Sequence, residues 1–238
     1  MPATVTLRRS LPVAPEAPPA RRHLPLAPEV RRIDGVRPIY AVWEITLRCD
    51  LACVHCGSRA GRARPDELTT AECLDLVEQM ADMDVREVTL IGGEAYLRDD
   101  WLQIVRALRR RGIQATMTSG GRGLTAERAT AAAEAGLQSV SVSIDGLEET
   151  HDRLRGVRGS HHAAMAALAN LRAAGIITSV NTQINRLSTP ELLPQPSDLL
   201  EIFPVLVELK RRCVEAGVVM WPGNNIGYFG PYESILRG

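Results

Sequence analysis

The sequence predicts an α/β fold built on a parallel sheet, open or closed into a barrel. Three observations carry this. From residue 39 onward, short β-branched apolar runs alternate with helical runs. Most helical runs have a recognisable cap or a terminal glycine. The 238 residues are 45% apolar and 24% charged, enough for one substantial core and far from a disordered or membrane-spanning composition.

The expected strands are Ile39 to Thr46, Glu87 to Ile91, Gln114 to Thr118, Ser139 to Ile144 and Thr178 to Ile184. After the first strand, Thr69 and Glu72 form a capping box, with Leu68 and Cys73 as a hydrophobic staple and Leu74, Val77 and Ala81 on one helix face. A second helix covers residues 99–111. A third starts at the cap Thr125 and stops at Gly136. A fourth spans 161–174 before Gly175, and a last spans 198–216 between the cap Ser197 and Gly217. Units of this length specify right-handed crossovers between parallel strands.

The rhythm breaks once. Only Asn185 to Pro196, twelve residues with three prolines, separates the fifth strand from the last helix, whereas a complete helix-and-strand passage takes roughly 25 to 35 residues. Either the barrel is short of a strand there, or a stretch of chain is missing between Glu191 and Pro196. Ahead of the folded region, residues 1–38 hold eight of the fifteen prolines, seven Arg and three acidic residues. They read as a flexible arm of net +4, leaving −4 on the rest of a chain with 28 basic and 28 acidic residues. That balance argues against a dedicated nucleic-acid binder. No apolar run suits a secretory signal or a membrane span.

Five cysteines are an odd number, and three of them, Cys49, Cys53 and Cys56, fall within eight residues. This is poor material for a disulfide framework and points to a metal site in a reducing compartment, the cytoplasm. The C-x3-C-x2-C loop leaves the C-terminal end of the first strand, where parallel sheets carry their functional face. Three thiolates suit a 4Fe-4S cluster with one open iron, and zinc is the competing reading, for which a fourth ligand is hard to find. Gly92-Gly93-Glu94 closes the second strand. Its glycines allow the backbone to approach a ligand closely, and the Glu94 carboxylate can accept a hydrogen bond from an ammonium group.

The cysteine spacing, the GGE, and Ser143-Ile144-Asp145-Gly146 ending the fourth strand resemble the radical S-adenosylmethionine (SAM) enzymes, over about Ile39 to Gly223. The resemblance implies a partial (β/α)6 TIM-like barrel over 39–223. It implies that Cys49, Cys53 and Cys56 hold the cluster, whose open iron is chelated by SAM. Reductive cleavage then yields a 5′-deoxyadenosyl radical that abstracts hydrogen from substrate. Gly92, Gly93 and Glu94 match the segment holding the methionyl ammonium, Ser119 a polar SAM-contact position, and Ser143 and Asp145 the segment near ribose and carboxylate. His55 stands where the family usually places an aromatic residue and leaves adenine stacking open. Arg155 is a candidate partner for the SAM carboxylate, in competition with Arg153 and Arg158. Asn181 and Gln183 alternate along the fifth strand, as SAM-facing amides or as structural ones.

His151-Asp152-Arg153-Leu154-Arg155-Gly156 is similar to the subgroup with a C-terminal cysteine-rich SPASM or twitch domain, whose members mostly modify ribosomally made peptides. Beyond Cys56 only Cys73 and Cys213 remain, both expected in helix cores, so no auxiliary cluster can be assembled from them. Trp221 to Tyr232, WPGNNIGYFGPY, reads as the passage into an absent or truncated domain, with 224–238 as linker, or as a substrate lid. The expected function is hydrogen abstraction from a peptide, with an electron donor such as flavodoxin or ferredoxin. An aminosugar, nucleoside or other small intermediate is the alternative substrate, and a non-catalytic metal scaffold the alternative class.

Overall fold

A computed structural model describes residues 37–183, 199–220 and 235–236. The expectations for the arm before Arg37, the stretch between Glu191 and Pro196, the cap Ser197 and the run after Trp221 fall outside these residues.

Five parallel strands form one open sheet in the order β1-β2-β3-β4-β5: β1 Tyr40–Thr46, β2 Glu87–Gly92, β3 Gln114–Ser119, β4 Ser139–Ser143 and β5 Ile177–Asn181. Each agrees with its sequence expectation to within three residues at either end. The open five-stranded sheet fits a partial barrel, and no sixth strand occurs among the described residues.

The helices are α1 Thr70–Asp82, α2 Trp101–Arg110, α3 Ala126–Ala135, α4 Glu148–Arg155, α5 Ser160–Ala173 and α6 Leu199–Glu215. The capping box at α1 forms as expected: Glu72 N–H donates to the Thr69 hydroxyl and Thr69 N–H to the Glu72 carboxylate. Cys73 is buried, but Leu68 stays 41% exposed, and the thiol points at the Leu68 carbonyl oxygen 3.8 Å away. The two residues flanking the cap are thus joined by a thiol-to-carbonyl contact. α2 begins two residues late because a 3-10 turn at Ala95–Leu97 and the Arg98–Asp100 segment fill the approach. Gly136 caps α3 in the left-handed conformation at φ 92°. α4 was not expected; its eight residues hold two buried side chains, His151 and Leu154, too few to give a helical period.

Alternation along the strands sorts the sheet into two faces. Ile45, Val88, Leu90, Ala115, Met117, Val140 and Val142 are buried under Val77, Ile104, Leu108, Ala132, Ala164 and Leu171 of the helices. The opposite face is mostly polar, with Val42, Ile91 and Ile177 among its residues: Tyr40, Thr89 and Thr116 form a hydroxyl chain (2.9 and 2.7 Å) that ends on Glu87 at 3.2 Å. Thr118, Ser139, Ser141, Ser143 and Ser179 share that face by register. α6 makes a small second cluster of Phe203, Leu206 and Leu236. Cys213 on α6 is only half-buried, unlike the expected core position of both spare cysteines.

Candidate active site

The site is a loop clamped from two sides. Beyond β1 the chain makes an excursion closed by Glu67, whose carboxylate accepts from Leu47 N–H (2.7 Å), Arg64 N–H (3.0 Å) and the Thr46 hydroxyl (3.1 Å). Cys49 N–H bonds to the Gly61 carbonyl oxygen at 3.1 Å, tying the first cysteine to the far side of that excursion. From the β2 side, Gly93 N–H donates to Thr46 and Glu94 N–H to Arg48, both at 2.8 Å. A β-carbon on Gly92 would lie 2.1 Å from the Thr46 carbonyl oxygen. The position a β-carbon would take is thus occupied by the chain leading into the cysteine loop.

The second clamp is the end of α4. Ala52 N–H bonds to the Arg155 carbonyl oxygen (3.0 Å) and Val54 N–H to that of Leu154 (2.9 Å). These carbonyls lack helical partners at a C-terminus, and the cysteine loop supplies donors to them. Gly156 follows at φ 68°, with its would-be β-carbon 2.3 Å from the Ala52 carbonyl oxygen. The HDRLRG segment therefore serves as a cradle for the cysteines.

None of the three thiols is in a disulfide, and all are partly exposed. Each sulfur faces an N–H donor: Leu51 for Cys49 (3.4 Å), Arg155 Nη1 for Cys53 (3.7 Å) and Ala60 for Cys56 (3.3 Å). Burial pushes the Cys49 thiol up to about 11, with Glu94 and Asp50 adding repulsion. Burial also raises Cys53, against the pull of Arg155. A thiol facing N–H donors but disfavoured as a bare anion suits a cationic iron, which deprotonates it on binding. The donor set fits a three-thiolate cluster.

Glu94 is 2% exposed, one carboxylate oxygen accepting from the Ser119 hydroxyl (2.5 Å) and the other from Gly120 N–H (2.6 Å). Desolvation lifts it to about 7 despite these bonds. Ser119, expected to meet SAM, is buried and also accepts from Gly121 N–H at 2.8 Å. Its described partners are internal.

Asp145, also buried, forms an ion pair with Arg155 Nη2 at 2.7 Å, off the angle of a hydrogen bond, and faces His55 Nε2 at 3.3 Å. Its other oxygen accepts from Gln183 N–H at 3.3 Å. The structure thus places Arg155 between Asp145 and Cys53, and His55 against Asp145 with a buried, unpartnered Nδ1. Arg153 and Arg158 are exposed, as are Asn181 and Gln183 at the open sheet edge, instead of lining an enclosed interior. Ser143 pairs in register with Asn181.

Three residues escaped the sequence reading. Tyr96 is buried, donates to Asp50 (3.1 and 3.2 Å) and accepts from Gly123 N–H (2.9 Å); desolvation first, then the nearby carboxylates, raise its phenol. Asp50 thereby fastens the cysteine loop to the turns after β2 and β3, helped by Arg122, which donates to the Asp50 carbonyl oxygen at 2.9 Å. His151, fully buried, accepts the Asp145 backbone N–H on Nδ1 at 3.1 Å, which makes it neutral and protonated on Nε2; burial lowers its pKa. Asp50 could have been suspected from its place beside Cys49. His151 stands in the HDRLRG segment but without a role assigned to it, and nothing local marks Tyr96.

The radical SAM superfamily model matches residues 43–185, more than half of the chain. The mycofactocin maturase MftC of Mycobacterium tuberculosis is 36% identical over 157 residues, covering 65% of this chain and 40% of its own. The Fe-coproporphyrin III synthase of Methanosarcina barkeri is 34% identical over 161 residues, 67% of this chain and 40% of its own. Among solved structures, Streptococcus suis SuiB bound to S-adenosylmethionine aligns with a TM-score of 0.58 at 19% identity, over 76% of this chain and 39% of its own. That likeness establishes the shared fold. The chain spans about 40% of the length of these relatives. Three free thiols on a loop held at the strand ends of an open parallel sheet, together with the family match across that sheet, place the chain in the radical SAM superfamily, whose enzymes use a 4Fe-4S cluster and S-adenosylmethionine.

Proposed function

We propose that the protein is a radical SAM enzyme that abstracts hydrogen from a peptide during its maturation. The observation that carries the chemistry is the clamped cysteine loop. Cys49, Cys53 and Cys56 would hold the cluster, and the GGE turn lies directly beneath Cys49, whose sulfur is within 4.8 Å of carboxylate oxygens of Glu94 and Asp50. When bound, cluster and SAM together supply a one-electron cleavage of SAM to a carbon radical that takes hydrogen from substrate. Glu94 would accept a hydrogen bond from the ammonium group of SAM, Ser143 and Asp145 would lie near its ribose and carboxylate, and His55 would present a ring to its adenine. The site lies at the strand ends, where a substrate would have to close it, because a primary carbon radical reacts with whatever solute reaches it.

The peptide reading is supported by MftC, a maturase, and by the existence of SuiB bound to a precursor peptide. The open sheet face adds a physical argument. Among its described strand residues are hydroxyls, the carboxylates Glu44 and Glu87 and the apolar Val42, Ile91 and Ile177, and no cation. Such a face suits the amides of an extended peptide better than the several carboxylates of a tetrapyrrole. The second reading, a tetrapyrrole substrate, is favoured by the synthase relative and by an AdoMet-dependent heme synthase 33% identical over 75% of this chain. The reductant would be a small electron carrier of the flavodoxin or ferredoxin kind in the cytoplasm.

Anaerobic reconstitution, then incubation with SAM and dithionite, should release 5′-deoxyadenosine. Cys53→Ala, leaving two thiolates, should hold no cluster and release none. Full cluster occupancy in the intact protein without 5′-deoxyadenosine would sink the enzyme reading. Deuterium transfer into 5′-deoxyadenosine from a labelled precursor peptide, compared with iron-coproporphyrin, separates the two substrates.

A further inference from the structure

We infer that Arg155 is a positioning residue for the cluster itself: it donates to the Cys53 sulfur and so raises the potential at which the site accepts its electron. This rests on the functional reading above. The sequence alone suggested a different task, clamping the SAM carboxylate.

The geometry favours the cluster. Arg155 is the last residue of α4, and its own carbonyl oxygen accepts from Ala52 N–H, one residue before Cys53. Backbone and side chain of the same residue therefore grip the same stretch of loop. The guanidinium points Nη1 at the Cys53 sulfur (3.7 Å) and Nη2 at Asp145 (2.7 Å). Its side chain is only 12% exposed, with Nε buried and without a hydrogen-bond partner among the described residues, so the two terminal nitrogens make the contacts that fix its direction.

Asp145 is fixed in turn. It faces His55 as well as Arg155, and its backbone N–H is held by the buried His151. A guanidinium so anchored keeps its direction, and no other Arg or Lys approaches any of the three sulfurs within bonding distance among the described residues. A positive N–H donor at a cysteine sulfur stabilises the more electron-rich state of an iron–sulfur cluster, and the effect on potential is exerted without touching substrate.

The test uses the full chain, reconstituted anaerobically, as wild type, Arg155→Gln and Arg155→Lys. The midpoint potential is read by EPR-monitored titration without SAM, alongside iron content and SAM affinity by calorimetry. The expected result is a normal iron content, a potential lower than wild type in Arg155→Gln, and an intermediate value in Arg155→Lys, which keeps the charge but loses the fork. SAM affinity should change by less than about tenfold, that is, under about 1.4 kcal/mol. An unchanged potential overturns the inference, as does a larger loss of SAM affinity at constant potential, which would return Arg155 to the carboxylate. Loss of iron from both variants also overturns it, by making Arg155 a condition of loading. Failure of the wild type to take up iron would instead defeat the functional reading.

Discussion

Gly93 and Arg48 approach so closely that a β-carbon on the glycine would lie 2.3 Å from the arginine carbonyl oxygen and 2.7 Å from Cys49 Cβ. Gly93→Ala should therefore push the cysteine loop off the end of β2. The backbone cannot yield as a flexible side chain would, so the cost should be at least the ~1–3 kcal/mol of an overpacked core. Thermal melting of the metal-free chain and iron bound per chain after reconstitution should both fall. A variant with normal iron content would mean that the loop has another seat.

Glu94→Gln tests the acid under that loop. The amide keeps the volume and can accept from Gly120 N–H while donating to Ser119, so the fold and the cluster should survive. What disappears is the negative charge, which burial leaves fully present only above about pH 7, so the comparison is made there. SAM affinity should drop roughly 10- to 150-fold, the equivalent of about 1.5–3 kcal/mol for a hydrogen bond to a charged group. Calorimetry on cluster-loaded protein measures it, and wild-type affinity would remove Glu94 from the SAM contacts.

Acid should loosen the entry to the site before it melts the helices. Desolvation alone would raise both Glu67 and Asp100, but hydrogen bonds outweigh it: from Leu47, Arg64 and Thr46 to Glu67, and from Arg98 and Thr70 to Asp100. Both carboxyls are therefore held below their ordinary values of 4.5 and 3.8. With the folded pKa depressed, the unfolded chain takes up more protons as pH falls, so their stabilisation is present at neutral pH and is lost on descending from about pH 5. Melting temperatures of the metal-free chain between about pH 7 and pH 3 should fall at the acid end. Glu67→Gln should lower the plateau and flatten the descent; an unchanged slope would show that Glu67 is not among the titrating groups.

Much of this arrangement was legible because it obeys local rules. The β-branched strand runs, the Thr69 capping box and the Gly136 stop each write their signal within a few residues, and the three cysteines do so by spacing. The residues that hold those cysteines do not. Tyr96 reaches Asp50 across 46 positions and Arg155 reaches Cys53 across 102, pairs that only the sheet topology brings together. The glycines of the GGE show a related limit. Their freedom was readable, but whether a ligand or another piece of backbone fills the space is decided by the crossing of β1 and β2. Arg155 was singled out as a guanidinium aimed at an anion, and the anions it meets in the fold, Asp145 and the Cys53 sulfur, lie too far away in sequence to be read locally.

The last prediction separates a strained backbone from a blocked contact at the cradle of the cysteine loop. Gly156 and Gly159 both have left-handed backbones, at φ 68° and 80°. Gly156→Ala would bring a β-carbon 2.3 Å from the Ala52 carbonyl oxygen, whereas nothing lies within 4 Å of the corresponding position at Gly159. The conformational penalty, about 1–2 kcal/mol for an L-residue in this region, is common to both. Only Gly156→Ala should also break the Ala52–Arg155 and Val54–Leu154 bonds that seat the cysteines. Both variants should therefore melt earlier, with Gly156→Ala the lower, and only Gly156→Ala should lose iron on reconstitution. Equal iron content in the two would mean that α4 merely neighbours the cysteine loop and does not hold it.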